Sequence, residues 1–256
     1  MKLSLRPIIS LCALLAVVIE APASAQDAAS NIARAQQTLD AIARLIDGIH
    51  ARNAIATGPA TGATMDQDSL FDGKSLVGWK RTEFRGGGAV RVETTFRGGP
   101  GAIVVDAGSA LSGLSWTKEV PRTNYEVSLE AMKIQGDDFM CGLTFPVGSS
   151  HASLILGGWG GSVVGISSID DRDASENETT RGITFDKDHW YAVRVRVTPK
   201  KLEAWLDGKK IVDQDVSGKK IGLRFGEISK SIPLGLATYQ TKAAYRAIKL
   251  HRIETN

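Results

Sequence analysis

Tyr191-Ala192-Val193-Arg194-Val195-Arg196-Val197, followed by Leu202-Glu203-Ala204-Trp205-Leu206, Asp207-Gly208 and Lys209-Lys210-Ile211-Val212, decides the fold class. Tyr191, Val193, Val195 and Val197 alternate with Ala192, Arg194 and Arg196, and a period of two is that of a strand with one wet face. Asp207-Gly208 between two such runs predicts a two-residue hairpin, because both central positions of that turn favour residues tolerating positive φ. The same alternation places Tyr125, Val127, Leu129 and Ala131 opposite Glu126, Ser128 and Glu130. Ile103-Val104-Val105, Leu154-Ile155-Leu156 and Leu234-Gly235-Leu236-Ala237 read as strands buried on both faces. No helical period longer than a turn or two follows Asp66, and glycines punctuate the strands. The expectation is an all-β domain over 66–256, an antiparallel two-sheet β-sandwich or jelly roll.

Upstream of that domain the pattern changes twice. Lys2 and Arg6 precede an apolar run from Ile8 to Ile19, and Ala23-Ser24-Ala25 then offers the small residues a signal peptidase needs, so residues 1–25 read as a signal peptide and the mature chain as exported, periplasmic or extracellular. The run is shorter than the ~20 residues a transmembrane helix needs. Ile32, Ala35, Leu39, Ile42, Ile46 and Ile49 recur at steps of three and four, predicting one amphipathic helix within 26–54. Its narrow seam needs a partner: it docks on the domain, frays, or self-associates. Gly58-Pro59-Ala60-Thr61-Gly62 breaks the period, and 55–65 read as a linker.

Charge and cysteine content exclude some classes. Lys plus Arg number 31 against 28 Asp plus Glu, and removing Lys2, Arg6 and Glu20 with the signal leaves 29 against 27. That balance argues against a nucleic-acid binder, and the lysine pairs 200–201, 209–210 and 219–220 sit beside turn residues, where solvation explains them. Cys12 leaves with the signal, so Cys141 stands alone and no internal disulfide forms. A domain of this length is able to stand on its core.

Leu70-Phe71-Asp72-Gly73-Lys74-Ser75-Leu76-Val77-Gly78-Trp79 resembles the opening motif of the 3-keto-disaccharide hydrolase domain family. The resemblance continues through Trp190-Tyr191-Ala192-Val193-Arg194-Val195, the Trp205-Leu206-Asp207-Gly208 hairpin, Pro233-Leu234-Gly235-Leu236-Ala237-Thr238-Tyr239 and Ile248-Lys249-Leu250-His251-Arg252-Ile253, and so spans almost the whole mature domain. It implies a concanavalin-A-like lectin and glucanase fold and an exported carbohydrate-active protein. The matching motifs are mainly structural: Trp79, Trp190 and Trp205 lie on strand signals and read as core or edge aromatics. Many members carry an Asn-Ser-Gly strand ending in arginine and a Glu-x-Gln strand ending in aspartate. Met140-Cys141-Gly142-Leu143-Thr144-Phe145-Pro146 and Ala152-Ser153-Leu154-Ile155-Leu156-Gly157 lack those polar groups. The Glu-x-Asp-x-x-Glu signature of laminarinase-type glucanases is missing too. The chain reads as a divergent member.

The family chemistry would use the ketone of a 3-keto sugar, which acidifies the proton on the neighbouring carbon so that a base abstracts it and the aglycone is expelled. It needs a base and a group to hold the enolate. Candidates are densest in residues 136–181. His151 is the natural base near neutral pH, set against a merely solvated loop histidine beside Ser149 and Ser150. Asp138 and Asp137 stand at a strand entrance, as a catalytic acid and a substrate contact or as turn residues. Glu176 and Glu178, at i and i+2, place their Cα atoms about 7 Å apart in an extended segment, within the range of glycosidase carboxylate pairs, or are two exposed loop acids. Trp159 within Gly157-Gly158-Trp159-Gly160-Gly161 reads as a sugar platform or as a packing tryptophan.

Asp171, Asp173, Ser175 and Asn177 place oxygens at every second position, as the first part of a calcium loop does. An EF-hand starting at Asp171 would want Gly and Glu where Glu176 and Gly182 stand, so a divalent cation such as calcium would need a different geometry. The other reading is a solvated acidic loop capped by its own side chains. Two function classes follow: a hydrolase of 3-keto-disaccharides or related glycosides, and a non-catalytic glycan-binding module or cell-envelope interaction protein on the same scaffold. Geometry separates them. Catalysis needs at least two of His151, Asp138, Glu176 and Glu178 in one cleft, whereas a lectin-like site needs an exposed aromatic and few perturbed acids.

Overall fold

The computed structural model describes residues 34–38 and 68–254. The signal peptide at 1–25, the linker at 55–65 and all of the helix at 26–54 except 34–38 lie outside the described residues. Residues 34–38 are helical. No helix among the described residues is long and apolar enough to cross a membrane.

Among the described residues of the domain, fourteen strands form two seven-stranded antiparallel sheets. The first sheet, in spatial order, holds β1 (Trp79–Arg81), β4 (Leu111–Trp116), β13 (Gly235–Tyr239), β6 (Cys141–Val147), β7 (Ser150–Gly157), β8 (Val163–Ser167) and β9 (Arg181–Gly182). The second holds β12 (Lys209–Asp215), β11 (Lys201–Leu206), β10 (Trp190–Val197), β5 (Tyr125–Gln135), β14 (Lys242–Arg252), β3 (Ala102–Val105) and β2 (Val90–Glu93). This is the expected all-β sandwich. The only helical pieces among the described domain residues are a one-turn element at Gly158–Gly161 and a 3₁₀ turn at Glu227–Ser231.

The alternation read from sequence is the alternation seen in burial. Tyr191, Val193, Val195 and Val197 of β10 pair with Ala131, Leu129, Val127 and Tyr125 of β5, and all eight enter the shared core. From the first sheet Leu114, Leu143, Phe145, Leu154, Leu156 and Ile166 meet them. Each such side chain taken from water contributes about 1.5–3 kcal/mol. The Asp207-Gly208 turn has φ of 48° and 78°, the two positive values the hairpin needs. A second, smaller apolar cluster of Phe96, Val104, Met132 and Ala244 packs on the outer side of the second sheet.

The outer side of the second sheet also disposes of the basic residues. Arg194 and Arg196 pair with Glu126, Arg246 pairs with Glu130, and the guanidiniums of Arg194 and Arg246 lie 3.9 Å and 4.1 Å from the ring centres of Trp205 and Trp190. Trp79 is buried, donating its indole N–H to Leu70 O at 2.7 Å. These three tryptophans serve the core and the strand faces, as read from their strand positions.

Candidate functional site

The inward set Ala152, Leu154 and Leu156 turns Ser153 and Ile155 of β7 to the outer face of the first sheet. Pairing carries that face across the strands: Ser115 faces Gly235, Gly235 faces Thr144, Thr144 faces Ser153 and Ser153 faces Ser167. The result is a row of hydroxyls broken by one glycine. Residues 219–232, between β12 and β13, cross above it. They are held at one end by reciprocal backbone bonds between Gly222 and Ser168 and by Ser150 Oγ donating to Ile221 O at 2.8 Å. At the other end Ser115 Oγ donates to Lys230 O at 3.1 Å, and Lys230 Nζ donates to Glu83 O at 2.8 Å.

Between this crossing segment and the sheet lies a cavity of about 360 Å³, within the usual range for ligand pockets. Its floor is Ser153, Ile155 and Ser167, one wall is Leu111, Phe139 and Tyr239, and Asp138 and Trp159 close the end. Arg224, Phe225, Glu227 and Ile228 form the roof. Phe139 and Tyr239 pack with ring centres 6.0 Å apart.

Trp159 is 40% exposed and its backbone is left-handed, with φ 48° and ψ 55°. That conformation costs an L-residue about 1–2 kcal/mol and persists where the surroundings over-determine it. Here Asp138 does so: Oδ2 accepts the Gly160 N–H at 3.1 Å while Oδ1 accepts the Phe139 N–H at 2.7 Å. The Arg224 guanidinium lies 5.5 Å from the Trp159 ring centre, and Arg224 Nε sits 3.4 Å from Asp173 Oδ2. The other oxygen of Asp173 accepts from Ser167 Oγ at 3.2 Å. Glu227 is ion-paired to Lys230 and accepts the Arg85 N–H, contacts that hold its carboxyl below the usual range.

The profile of the 3-keto-α-glucoside-1,2-lyase-like domain matches residues 66–251. The chain belongs to that family. No curated protein matches the sequence. Solved structures similar to this lyase-like domain include a carbohydrate-binding module from Bacillus subtilis, at 10% identity and TM-score 0.42 over 68% of this chain and 95% of that one. Domain 4 of a GH43 extracellular arabinanase from Geobacillus stearothermophilus, in complex with arabinotriose, matches at 13% and 0.45 over 70% and 84%. A Bacillus subtilis protein of galectin-like fold matches at 12% and 0.46 over 69% and 90%.

Of the residues singled out from sequence, Asp138 and Trp159 line the cavity of the lyase-like domain. Asp137 is exposed beside it, with Lys187 Nζ at 3.8 Å. His151 was expected in a loop but is the second residue of β7, because Gly148-Ser149 make a two-residue hairpin that pairs Val147 with Ser150. It shares the outward parity of Ser153, about 7 Å along the strand. Its Nε2 is buried without a hydrogen-bond partner, and burial, then the Arg122 charge, pull its pKa down.

Glu176 and Glu178 are exposed and outside the cavity. Glu178 bonds Lys219 Nζ at 2.9 Å and Gln214 Nε2 at 3.1 Å, and its own backbone N–H, followed by Lys219, lowers its pKa. The suggested cation ligands are committed elsewhere. Asp171 pairs with Lys220 at 2.8 Å, Asp173 with Arg224, and Asn177 Oδ1 accepts both the backbone N–H and the hydroxyl of Thr179. Among the described residues no three His, Cys, Asp or Glu side chains are grouped to hold a metal ion. Sequence reading did not single out Arg224, Phe225, Glu227 or Tyr239. Leu223-Arg224-Phe225-Gly226, an aromatic and a cation beside glycine between β-runs, was the available signal.

Proposed function

We propose that the cavity on the outer face of the first sheet is a saccharide-binding groove and that recognition of a glycan is the domain's function. The observation that carries this reading is Trp159: a half-exposed indole on a backbone turn held by the Asp138 carboxylate, at the end of a floor lined by Ser153 and Ser167. A pyranose has an apolar C–H face and a rim of hydroxyls. Aromatic rings suit the first, and hydroxyl, carboxylate and guanidinium groups suit the second. The acids in the groove are already engaged by backbone N–H groups or by lysine, which fits binding better than proton transfer. An exported location, read from residues 1–25, fits a glycan ligand outside the cytoplasm.

The test is isothermal titration of the domain with trehalose, sucrose, cellobiose and their 3-keto forms. Binding by the folded wild type that weakens at least tenfold in Trp159→Ala, with melting unchanged, supports the reading. Equal binding by that variant would remove Trp159 from the site.

One observation favours a second reading, the elimination chemistry of the family. His151 is kept neutral, as a base must be, and its Nε2 has no partner. In that reaction His151 would take the C2 proton next to the ketone to give the enolate; as the ketone re-forms, the enolate electrons would make the C1–C2 double bond, and the glycosidic oxygen would leave with the C1–O bonding pair and receive the proton from the imidazolium. Release of the aglycone from a 3-keto glucoside by the wild type, absent in His151→Gln, is the expected result. Release at the same rate in that variant would discard His151 as the base.

A further inference from the structure

We propose that Phe225 is a mobile wall of the groove, folding onto a bound saccharide ring to clamp it against the Trp159 side; the proposal rests on the saccharide-binding reading above. Phe225 is fully exposed, at 103% relative exposure, although it lines the cavity. A single exposed apolar side chain is ordinary. This one stands at the edge of an apolar and aromatic lining made by Leu111, Phe139, Ile155, Ile228 and Tyr239, so it belongs to a set with a shared concavity.

The backbone beneath it is suited to movement. Residues 223–226 lie between two firm anchors, Gly222 on Ser168 and Glu227 on the Arg85 N–H. Among the described residues no backbone hydrogen bond ties 223–226 to a strand; Gly226 O accepts only from Ser229 within its own turn. Gly226 has φ 128° and ψ −163°, a region open essentially to glycine, directly after the aromatic. Short segments between fixed ends, with a permissive residue at one end, absorb the dihedral change of loop closure. A second depression, lined by Leu223, Ser229 and Lys230, lies against the same Arg224–Phe225 segment, so the ring has open space around it.

Arg224 sets the open state. Its guanidinium sits by the Trp159 ring and by Asp173, on the side where a sugar would stack. A ring entering over Trp159 displaces that weak exposed cation–π contact, and Arg224 keeps Asp173 as its partner while Phe225 swings inward. Closure buries both faces of the saccharide and the otherwise wet Phe225 ring. A sugar whose upper face carries axial hydroxyls would fit such a clamp less well than one with a flat apolar face.

The experiment uses Phe225→Ala, Phe225→Trp and Trp159→Ala in the full chain, titrated with the same trehalose, sucrose and cellobiose series and their 3-keto forms. Because the Phe225 side chain is fully exposed, Phe225→Ala is expected to melt with the wild type, while its dissociation constant rises tenfold or more. Phe225→Trp is expected to keep affinity, and its difference emission spectrum against wild type to shift to the blue on binding. Wild-type affinity in Phe225→Ala, with loss in Trp159→Ala, overturns the clamp and leaves the groove standing. Binding by Phe225→Trp without a blue shift likewise overturns it. No binding of any probe by the wild type overturns both readings.

Discussion

Replacing Asn177 by aspartate tests whether the acidic loop after β8 is a cation site or a self-tied cap. Asn177 is 7% exposed, and its Nδ2 lies 2.7 Å from Ile166 O, 3.1 Å from Arg172 O and 2.7 Å from Asp173 O. An amide has two hydrogens for these three carbonyls, so one is shared. Its Oδ1 accepts from Thr179 N at 3.0 Å and Thr179 Oγ1 at 2.6 Å. Asn177→Asp keeps the shape and both acceptor contacts but turns the donor edge into an oxygen facing three carbonyl oxygens. Losing two buried donor bonds at ~1–3 kcal/mol each, with a poorly solvated charge added, amounts to about 3–5 kcal/mol. At roughly 2–4 °C per kcal/mol for a domain this size, melting should fall by about 10 °C. The carboxyl's folded pKa should be raised by the same surroundings. The variant's deficit against wild type is therefore largest at neutral pH and shrinks as pH falls through that raised value. Thermal unfolding by circular dichroism, with excess calcium and with chelator, reads all of this. A calcium loop would answer differently: the added charge would strengthen the site, and calcium would raise the variant's melting temperature above its chelated value. Wild-type melting of Asn177→Asp, or a calcium-dependent gain, would refute the cap.

Two further outcomes are expected. Cys141 is fully buried and its thiol is pushed up to about 12 by burial, so native protein at pH 8 should react with a disulfide reagent only as fast as it unfolds; rapid labelling of the folded state would contradict that placement. His151 should titrate in proton NMR below the ordinary histidine value of about 6.5. The unfolded state takes up that proton first, so this part of stability is present above ~6.5 and is lost as pH falls from there through the lowered folded value. His151→Gln should abolish that component of the acid sensitivity; an unchanged pH profile of stability would show that His151 does not cause it.

The fold was legible because two central strands of the second sheet carry their own burial pattern. Tyr125 to Ala131 and Tyr191 to Val197 alternate along the chain as they do in the core, and Asp207-Gly208 marks its turn by residue type alone. The groove was not legible in the same way. Its floor comes from β7 and β8, its wall from β4 and β13, and its roof from 224–228, segments that chain proximity does not join. Reading for clustered polar residues led to 136–181, which holds Asp138 and Trp159 but also the tied loop around Asn177. Alternate oxygens there mimic a cation loop because a self-capping turn and a metal loop use the same Asp, Ser and Asn side chains. What separates them is the direction each oxygen faces, and that depends on Thr179 within the loop and on Lys219 and Lys220, which come from another part of the fold.

The charges of the groove argue about its chemistry more strongly than its shape does. A carboxylate acting as general base must hold a free lone pair toward the substrate and lose solvation to gain basicity. Asp138 spends both oxygens on backbone N–H groups, Glu227 is held ionised by Lys230 and the Arg85 N–H, and Asp173 faces Arg224 and Ser167. Each arrangement occupies the carboxylate oxygens with fixed donors, which suits hydrogen-bond acceptors that orient sugar hydroxyls. His151 differs, its pKa lowered by burial and its buried Nε2 unpartnered, but it stands one outward position beyond Ser153 and is not among the residues that line the cavity. If the family's elimination persists here, proton transfer falls to this imidazole and the carboxylates only orient the sugar. Removing His151 should then abolish release of the aglycone while leaving the dissociation constant unchanged, whereas removing Trp159 should raise the dissociation constant in either case.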